Sequence, residues 1–340
     1  MTLQQNFSLD GLTTFGCRSE AQYFARVSTL EELKAALAEA QTLGLRVHLL
    51  GGGANTIARE KVDGLVVKID IKGFEIQPHG EDEALVTVGA GEVFDDVINR
   101  VIEAGYSGLE NLSAIPGTVG GAVVQNIGAY GVELAESFVS VRVWARQQQV
   151  ERVLTLDECD FAYRHSVFKM PKASSWVILS AVLRVSKRFT PVVGYKDVEQ
   201  TLARDGLTAE TLTPAKLASI IREIRGRKLP NPAEIGNAGS FFTNPIVNKV
   251  LWRRILTKSP SIVSYKLGGG RMKLAAASLI EAAGFKGTKA GNVGVSERHA
   301  LILVNHGGAT GEEVLVFART IQNKVEALYG VRLEMEPVVL

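Results

Sequence analysis

Apolar residues recur at helical spacing through TLEELKAALAEAQTLGL (29–45), behind a threonine in capping position, and the chain then turns strand-like in RVHLLG and again in GLVVKI. That alternation predicts an α/β opening. From about residue 84 the pattern changes to short apolar runs between glycine turns: ALVTVGAG, a helical VFDDVINRVIEAG, then SVRVWAR and WVILSAVLRV, which together predict a second, strand-rich α+β unit. Beyond Pro191 helical periodicity returns in AKLASIIREIRGRKLPNP and in a helix-rich block that reaches ALILVN at 300–305, placing a domain boundary near 210–220. A last helix is predicted over roughly 311–329, followed by GVRLEMEPVVL, a strand-like tail expected to return to the first domain. No internal repeat is visible.

At 340 residues, with 46% hydrophobic and 22% charged side chains, the chain is long enough for two or three domains and for enclosing a large cofactor. Its 38 Lys plus Arg against 36 Asp plus Glu leave a formal charge of +2, so nucleic acid is not an expected partner. Two distant cysteines, Cys17 and Cys159, and an N-terminus without a basic start or apolar run fit a reducing cytoplasm. No apolar run approaches the roughly 18 residues of a membrane span, so no membrane partner is expected. The histidines, His48, His79, His165, His299 and His306, lack metal-ligand spacing, and no metal is expected.

Two glycine-rich loops carry the first candidate chemistry. In LLGGGANT a strand runs into Gly51, Gly52 and Gly53, followed by Ala54, Asn55 and Thr56; it follows neither the GxGxxG nor the Walker spacing and reads either as a phosphate cradle or as a turn. The uncharged IPGTVGGAVVQNIGAYG (115–131) turns at Pro116 and Gly117, allows close approach at Gly120 and Gly121, and offers the amides of Gln125 and Asn126 to a planar heterocycle. A buried glycine-rich crossover is the other reading. Two such loops suit a dinucleotide with a pyrophosphate and a polar ring, and the absence of Rossmann spacing favours a non-Rossmann flavin site.

Three side chains stand out further on. Arg164, inside the aromatic FAYRHSVFK, must snorkel, pair with an acid or face a cavity, where its planar fork would clamp a carboxylate. Ser240, on the glycine turn of GNAGSFFTNP and followed by two phenylalanines, reads as a turn serine or as a hydroxyl offered to a buried substrate; it is not a GxSxG nucleophile. Glu336, in LEMEPVVL, is an acid that only its neighbours could make functional.

Taken together, LLGGGANT, IPGTVGGAVVQNIGAYG, YRHSVFK, GNAGSFFTNP and LEMEPVV stand in the order and spacing of the UDP-N-acetylenolpyruvoylglucosamine reductases, and the chain resembles that family over nearly its whole length. Tyr195, in the insertion containing VVGYKD, makes it similar to the branch with a tyrosine-bearing loop over the substrate. The resemblance implies an α+β fold: two FAD-binding domains like those of the vanillyl-alcohol-oxidase flavoproteins, and a third, α/β domain that binds substrate. By this reading residues 1–68 with the tail 326–340 form the first FAD-binding subdomain, 69–215 the second, and 216–325 the substrate-binding domain.

The resemblance also implies the site and the chemistry. FAD would be held non-covalently by Leu50, Gly51, Gly52, Gly53, Ala54, Asn55 and Thr56 in the first loop. In the second it would be held by Pro116, Gly117, Thr118, Gly121, Gln125, Asn126, Ile127, Gly128 and Ala129, with Arg225 close by. NADPH would be the hydride donor and UDP-N-acetylglucosamine enolpyruvate the substrate, reduced to UDP-N-acetylmuramate for the cell wall. Ser240 matches the proton donor, with Arg164 and Glu336 around the substrate carboxylate. Tyr195, Lys228, Asn244, Tyr265, Lys273 and His299 would contact the sugar nucleotide, Lys228 through the diphosphate and Tyr265 against the uracil, and Tyr130 would sit near the FAD and substrate phosphates. A monomer in the cytoplasm is expected.

Two features depart from the family pattern. His299 stands where relatives have a glutamine, and Pro337 with Val338 stands where some place an arginine after the glutamate. The alternatives are another oxidoreductase on the same flavin fold and a non-catalytic binder of flavin or sugar nucleotide.

Overall fold

The computed structural model describes residues 2–171 and 175–340. They fall into two compact units, each assembled from separate stretches of chain. The first takes the residues up to Gln5, Tyr23–Gly52 and Gly64–Arg227; the second takes Asn6–Gln22, Gly53–Asp63 and Lys228–Leu340.

In the first unit the predicted opening helix runs over Leu30–Thr42, and the Thr29 side chain accepts from the Glu32 N–H as its cap. Its buried face, Leu33, Ala36 and Ala40, shares a core with Val67 and Ile69 of the strand Lys61–Ile69, which pairs in parallel with Val47–Leu50. The strand-rich region forms a five-stranded antiparallel sheet in the order Val150–Thr155, Phe138–Ala145, Trp176–Ser186, Glu83–Gly89, Phe74–His79. The helix Phe94–Glu103 buries Phe94, Val97, Ile98 and Val101 in the same core. The helices Lys196–Asp205 and Pro214–Lys228 share a smaller cluster built on Val198, Leu202, Leu217, Ile220, Ile221 and Ile224.

The second unit holds a sheet in the order Gly236–Ser240, Ile302–Asn305, Val293–Val295, Lys289–Ala290, and a smaller one in the order Ile246–Asn248, Arg271–Leu274, Ser264–Lys266. The long helix Gly311–Tyr329 matches its predicted span, opened by a capping box between Thr310 and Glu313 and closed by left-handed Gly330. The tail does not form the continuous strand its apolar alternation predicts. Met335 bridges Phe242 and only Val338–Val339 pairs regularly, in parallel with Thr56–Ile57; Pro337, which has no N–H to donate, lies between the two contacts.

Among the described residues no helix is long and apolar enough to cross a membrane.

Candidate functional site

Within the first unit the two glycine loops touch backbone to backbone. A Cβ on Gly52 would lie 2.6 Å from the Gly117 Cα, and one on Gly51 would lie 2.9 Å from the Thr118 hydroxyl, so any side chain at either position would force the loops apart. The approach at Gly120 is to Ala90, whose carbonyl accepts the Gly120 N–H at 2.9 Å. The Thr118 hydroxyl is buried and has no hydrogen-bond partner in the protein, which leaves a donor for a bound polar group such as a phosphate oxygen. This combination of touching loops and an unsatisfied hydroxyl fits FAD.

Further along that stretch the two amides are differently placed. Gln125 is buried at the end of the short helix Val119–Gln125, and Asn126 follows in the left-handed region at φ +41°. The Asn126 amide nitrogen donates to Glu133 Oε2 at 2.9 Å and to the Ala162 carbonyl at 3.1 Å, while its oxygen accepts from the Ala135 N–H at 3.1 Å. Its side chain is therefore committed to protein groups. Ile127 accepts from the Leu134 N–H, and Gly128–Ala129 pairs with Val132–Glu133 around a tight turn in which Tyr130 has φ +49°.

Arg164 is itself left-handed, at φ +53°, and aims its guanidinium at this hairpin: Nη2 donates to the Gly128 carbonyl at 2.8 Å and Nη1 to the Asn126 carbonyl at 3.4 Å. Among the sequence readings, these contacts describe an arginine fixed by backbone, its fork orientation set before any ligand arrives.

Tyr130 lies edge-on to Tyr195, with ring centroids 5.2 Å apart, and its phenol hydrogen-bonds Arg225. Burial pushes the Tyr130 pKa up, opposed by the Arg225 charge, and burial pulls the Arg225 pKa down. Asn111, which no motif in the sequence singles out, organises this group. Buried, it donates to the Tyr130 carbonyl at 2.9 Å and to the Val192 carbonyl at 2.8 Å, tying the turn to the segment that leads to Tyr195. Its partners lie up to 81 positions away in sequence, beyond what local patterning reveals.

In the second unit Ser240 closes the strand Gly236–Ser240 after a register shift in its pairing with Ile302–Asn305. Asn237 supports that bulge: its amide nitrogen donates to the Pro230 and Ile235 carbonyls and its oxygen accepts from the Gly239 N–H at 3.1 Å, with Gly239 at φ +67°. Phe241 and Phe242 are buried immediately after, so the hydroxyl of half-buried Ser240 sits on a rigid, apolar footing. The Glu336 N–H donates to the Phe241 carbonyl at 2.9 Å, which brings the C-terminal acid beside the serine strand. Asn55 joins them by donating from its amide to the Glu336 carbonyl at 3.2 Å while its own carbonyl accepts from the Val338 N–H. The Ala54 carbonyl accepts from the Thr14 hydroxyl, Thr56 lies in the parallel pair with the tail, and Gly53 packs on Leu12 and Thr13.

The remaining predicted residues of this unit lie around the smaller sheet and its flanks. Lys273, on the central strand, is the cross-strand partner of Tyr265. Asn244 Oδ1 accepts from the Ala276 N–H at 2.9 Å, at the start of the helix Ala276–Ala282. His299 Nδ1 accepts from the Leu301 N–H at 3.2 Å, so its other nitrogen carries the proton when the ring is neutral. Lys228 ends its helix. Cys17 and Cys159 are buried, and burial is the main reason their thiols are pushed up to about 12.

Residues 21–153 match the FAD binding domain family, and residues 231–340 match the C-terminal domain of UDP-N-acetylenolpyruvoylglucosamine reductase. A UDP-N-acetylenolpyruvoylglucosamine reductase from Cupriavidus pinatubonensis is 44% identical over 331 residues, 96% of each chain. The chain belongs to the UDP-N-acetylenolpyruvoylglucosamine reductase family. A relative of the same name from Pseudomonas aeruginosa is 41% identical, covering 99% of this chain and 98% of its own. The crystal structure of the reductase from Thermus caldophilus shares the fold, with a TM-score of 0.69 at 24% identity over 100% of this chain and 99% of that one. The protein is therefore an enzyme, an FAD-dependent oxidoreductase, and the α+β flavoprotein fold expected from its motifs is borne out.

Proposed function

We propose that this reductase converts UDP-N-acetylglucosamine enolpyruvate to UDP-N-acetylmuramate for peptidoglycan synthesis, with NADPH as electron donor. The observation that carries the reading is the tie between Ser240 and Glu336, residues 96 positions apart: the Glu336 N–H donates to the carbonyl of Phe241, the residue after Ser240. An oxidase on the same flavin fold has no need of an acid held beside a serine, and a passive binder has no need of either.

FAD, when bound and reduced, supplies the hydride that the enolpyruvyl double bond accepts at the carbon beta to its carboxylate. Ser240 holds the proton for the neighbouring carbon; a serine hydroxyl is a weak acid, but an enolate is a base strong enough to take its proton. The Arg164 guanidinium, oriented by the carbonyls of Asn126 and Gly128, meets the substrate carboxylate as negative charge grows there. Glu336 completes the hydrogen bonding around that charge. Lys228, Asn244, Tyr265, Lys273 and His299 hold the sugar nucleotide, Tyr130 and Tyr195 its phosphate side, and the loops at 50–56 and 116–129 with Arg225 hold FAD. In this assignment residues 1–68 with 326–340 and residues 69–215 serve the flavin, and 216–325 serve the substrate.

Incubation with NADPH and the enolpyruvyl sugar nucleotide tests the reading by mass spectrometry. The expected product is heavier than the substrate by two hydrogens; an unchanged sugar nucleotide in the presence of FAD-loaded protein would refute it.

A further inference from the structure

Ala114 has φ +58°, in the left-handed region that an alanine enters only under constraint. Both its backbone polar groups are taken by charged side chains. Its N–H donates to Asp95 Oδ1 at 2.7 Å, and its carbonyl accepts from Arg225 Nε at 3.2 Å. Asp95 is in turn gripped by Arg222, whose Nη2 donates to Oδ1 at 2.9 Å and Nε to Oδ2 at 3.3 Å; the same Nη2 reaches Asn99 Oδ1 at 2.6 Å. Asp95 and Asn99 are one turn apart on Phe94–Glu103, and Arg222 and Arg225 are three residues apart on Pro214–Lys228. Two helices thus clamp a single strained residue from its two ends.

The position of that residue gives the clamp its meaning. Ala114 directly precedes Ile115 and Pro116, and the proline ring fixes its own φ while confining Ile115 to extended backbone. Ala114 therefore helps set the direction in which the chain enters the loop of Gly117, Thr118 and Gly121. An Asp95–Arg222 ion pair made only to join two helices would need no acceptor aimed at a backbone N–H. Here Oδ1 serves both the arginine and the strained amide.

We propose that Asp95, backed by Arg222, is a positioning residue for FAD: by holding Ala114 left-handed it fixes the course of the Pro116–Gly121 loop against the cofactor. This rests on the reading of that loop as an FAD contact. Loss of the carboxylate leaves the Ala114 N–H unpaired and allows the residue to relax out of the left-handed region, so the entry to the loop loses its fixed course and FAD must reorder it.

Apoprotein of the parent, Asp95→Ala, Asp95→Asn and Ala114→Val is titrated with FAD by quenching of flavin fluorescence, with thermal unfolding of each apoprotein recorded alongside. Asp95→Ala is expected to weaken FAD binding about tenfold and to shift the visible flavin band, while Asp95→Asn, which retains the Oδ1 acceptor, restores most of the affinity. Ala114→Val, whose branched side chain resists positive φ, is expected to weaken binding at least as much. Equal FAD dissociation constants for the parent and Asp95→Ala, with only the unfolding temperature lowered, would overturn the proposal. Should Asp95→Ala fail to fold, parent-like FAD affinity in Ala114→Val overturns it equally. A parent chain that bound no FAD would overturn the flavin reading itself, and this proposal with it.

Discussion

Glu336 and Phe241 are joined by a backbone hydrogen bond of 2.9 Å, donated by the glutamate N–H, so the last strand-like segment of the chain is tied to the residue that follows Ser240. The bond uses only backbone atoms. The Glu336 backbone is thus anchored independently of its carboxylate, whose chemistry can be altered without removing that hydrogen bond. Glu336→Gln should keep the parent's far-ultraviolet spectrum and melting temperature while lowering kcat by about 100-fold, the scale of losing one group that stabilises developing charge. Steady-state kinetics with NADPH and the enolpyruvyl substrate measure this, and a parent-like kcat would remove Glu336 from the reaction.

Arg164 presents a planar fork whose direction is set by the carbonyls of Asn126 and Gly128. Arg164→Lys keeps the charge and loses the fork, so kcat/KM should fall about 10-fold to 100-fold, as expected for one hydrogen bond to a charged group. Unimpaired kcat/KM would mean that charge alone suffices at this position.

Much of the fold was legible because its signals are local. The threonine cap at 29, the capping box of Thr310 and Glu313 and the apolar spacing of 311–329 each lie within one helix, and each element formed where its pattern placed it. The tail misled because alternation of apolar residues predicts a strand even where Pro337 cannot pair. The amide of Asn126 looked fit to read a ligand, yet its groups are satisfied by Glu133, Ala162 and Ala135, partners that only folding supplies. Asp95, Asn111 and Arg222 carry no local signal for the same reason: Asp95 and Arg222 are 127 residues apart, and nothing around either one announces the other. The motif residues themselves were readable, because close packing of Gly52 on Gly117 and of Gly51 on Thr118 demands particular residues at particular places.

Glu110 offers a test through pH. Its carboxyl is buried and accepts from the Gly108 N–H, and burial raises its pKa above the usual carboxylate value. Between the unfolded value and the raised folded one, the folded state holds the extra proton. Stability from this group is therefore fully present below the unfolded value and is lost as pH rises through the folded one. Glu110→Gln, which keeps the shape without the charge, should melt higher than the parent at neutral pH, and the difference should shrink towards zero as the medium is made more acidic than a free carboxyl's pKa. Thermal unfolding across that range measures it; a difference independent of pH would contradict the assignment of a buried charge.

The central claim is that Ser240 delivers the proton while the hydride arrives through FAD. It is tested most directly by anaerobic half-reactions of Ser240→Ala against the parent. NADPH should bleach the flavin band of both proteins at the same rate, and the enolpyruvyl sugar nucleotide should then restore it in the parent but about 100-fold to 10,000-fold more slowly in the variant. Restoration in Ser240→Ala at the parent's rate, with UDP-N-acetylmuramate formed, would contradict the account.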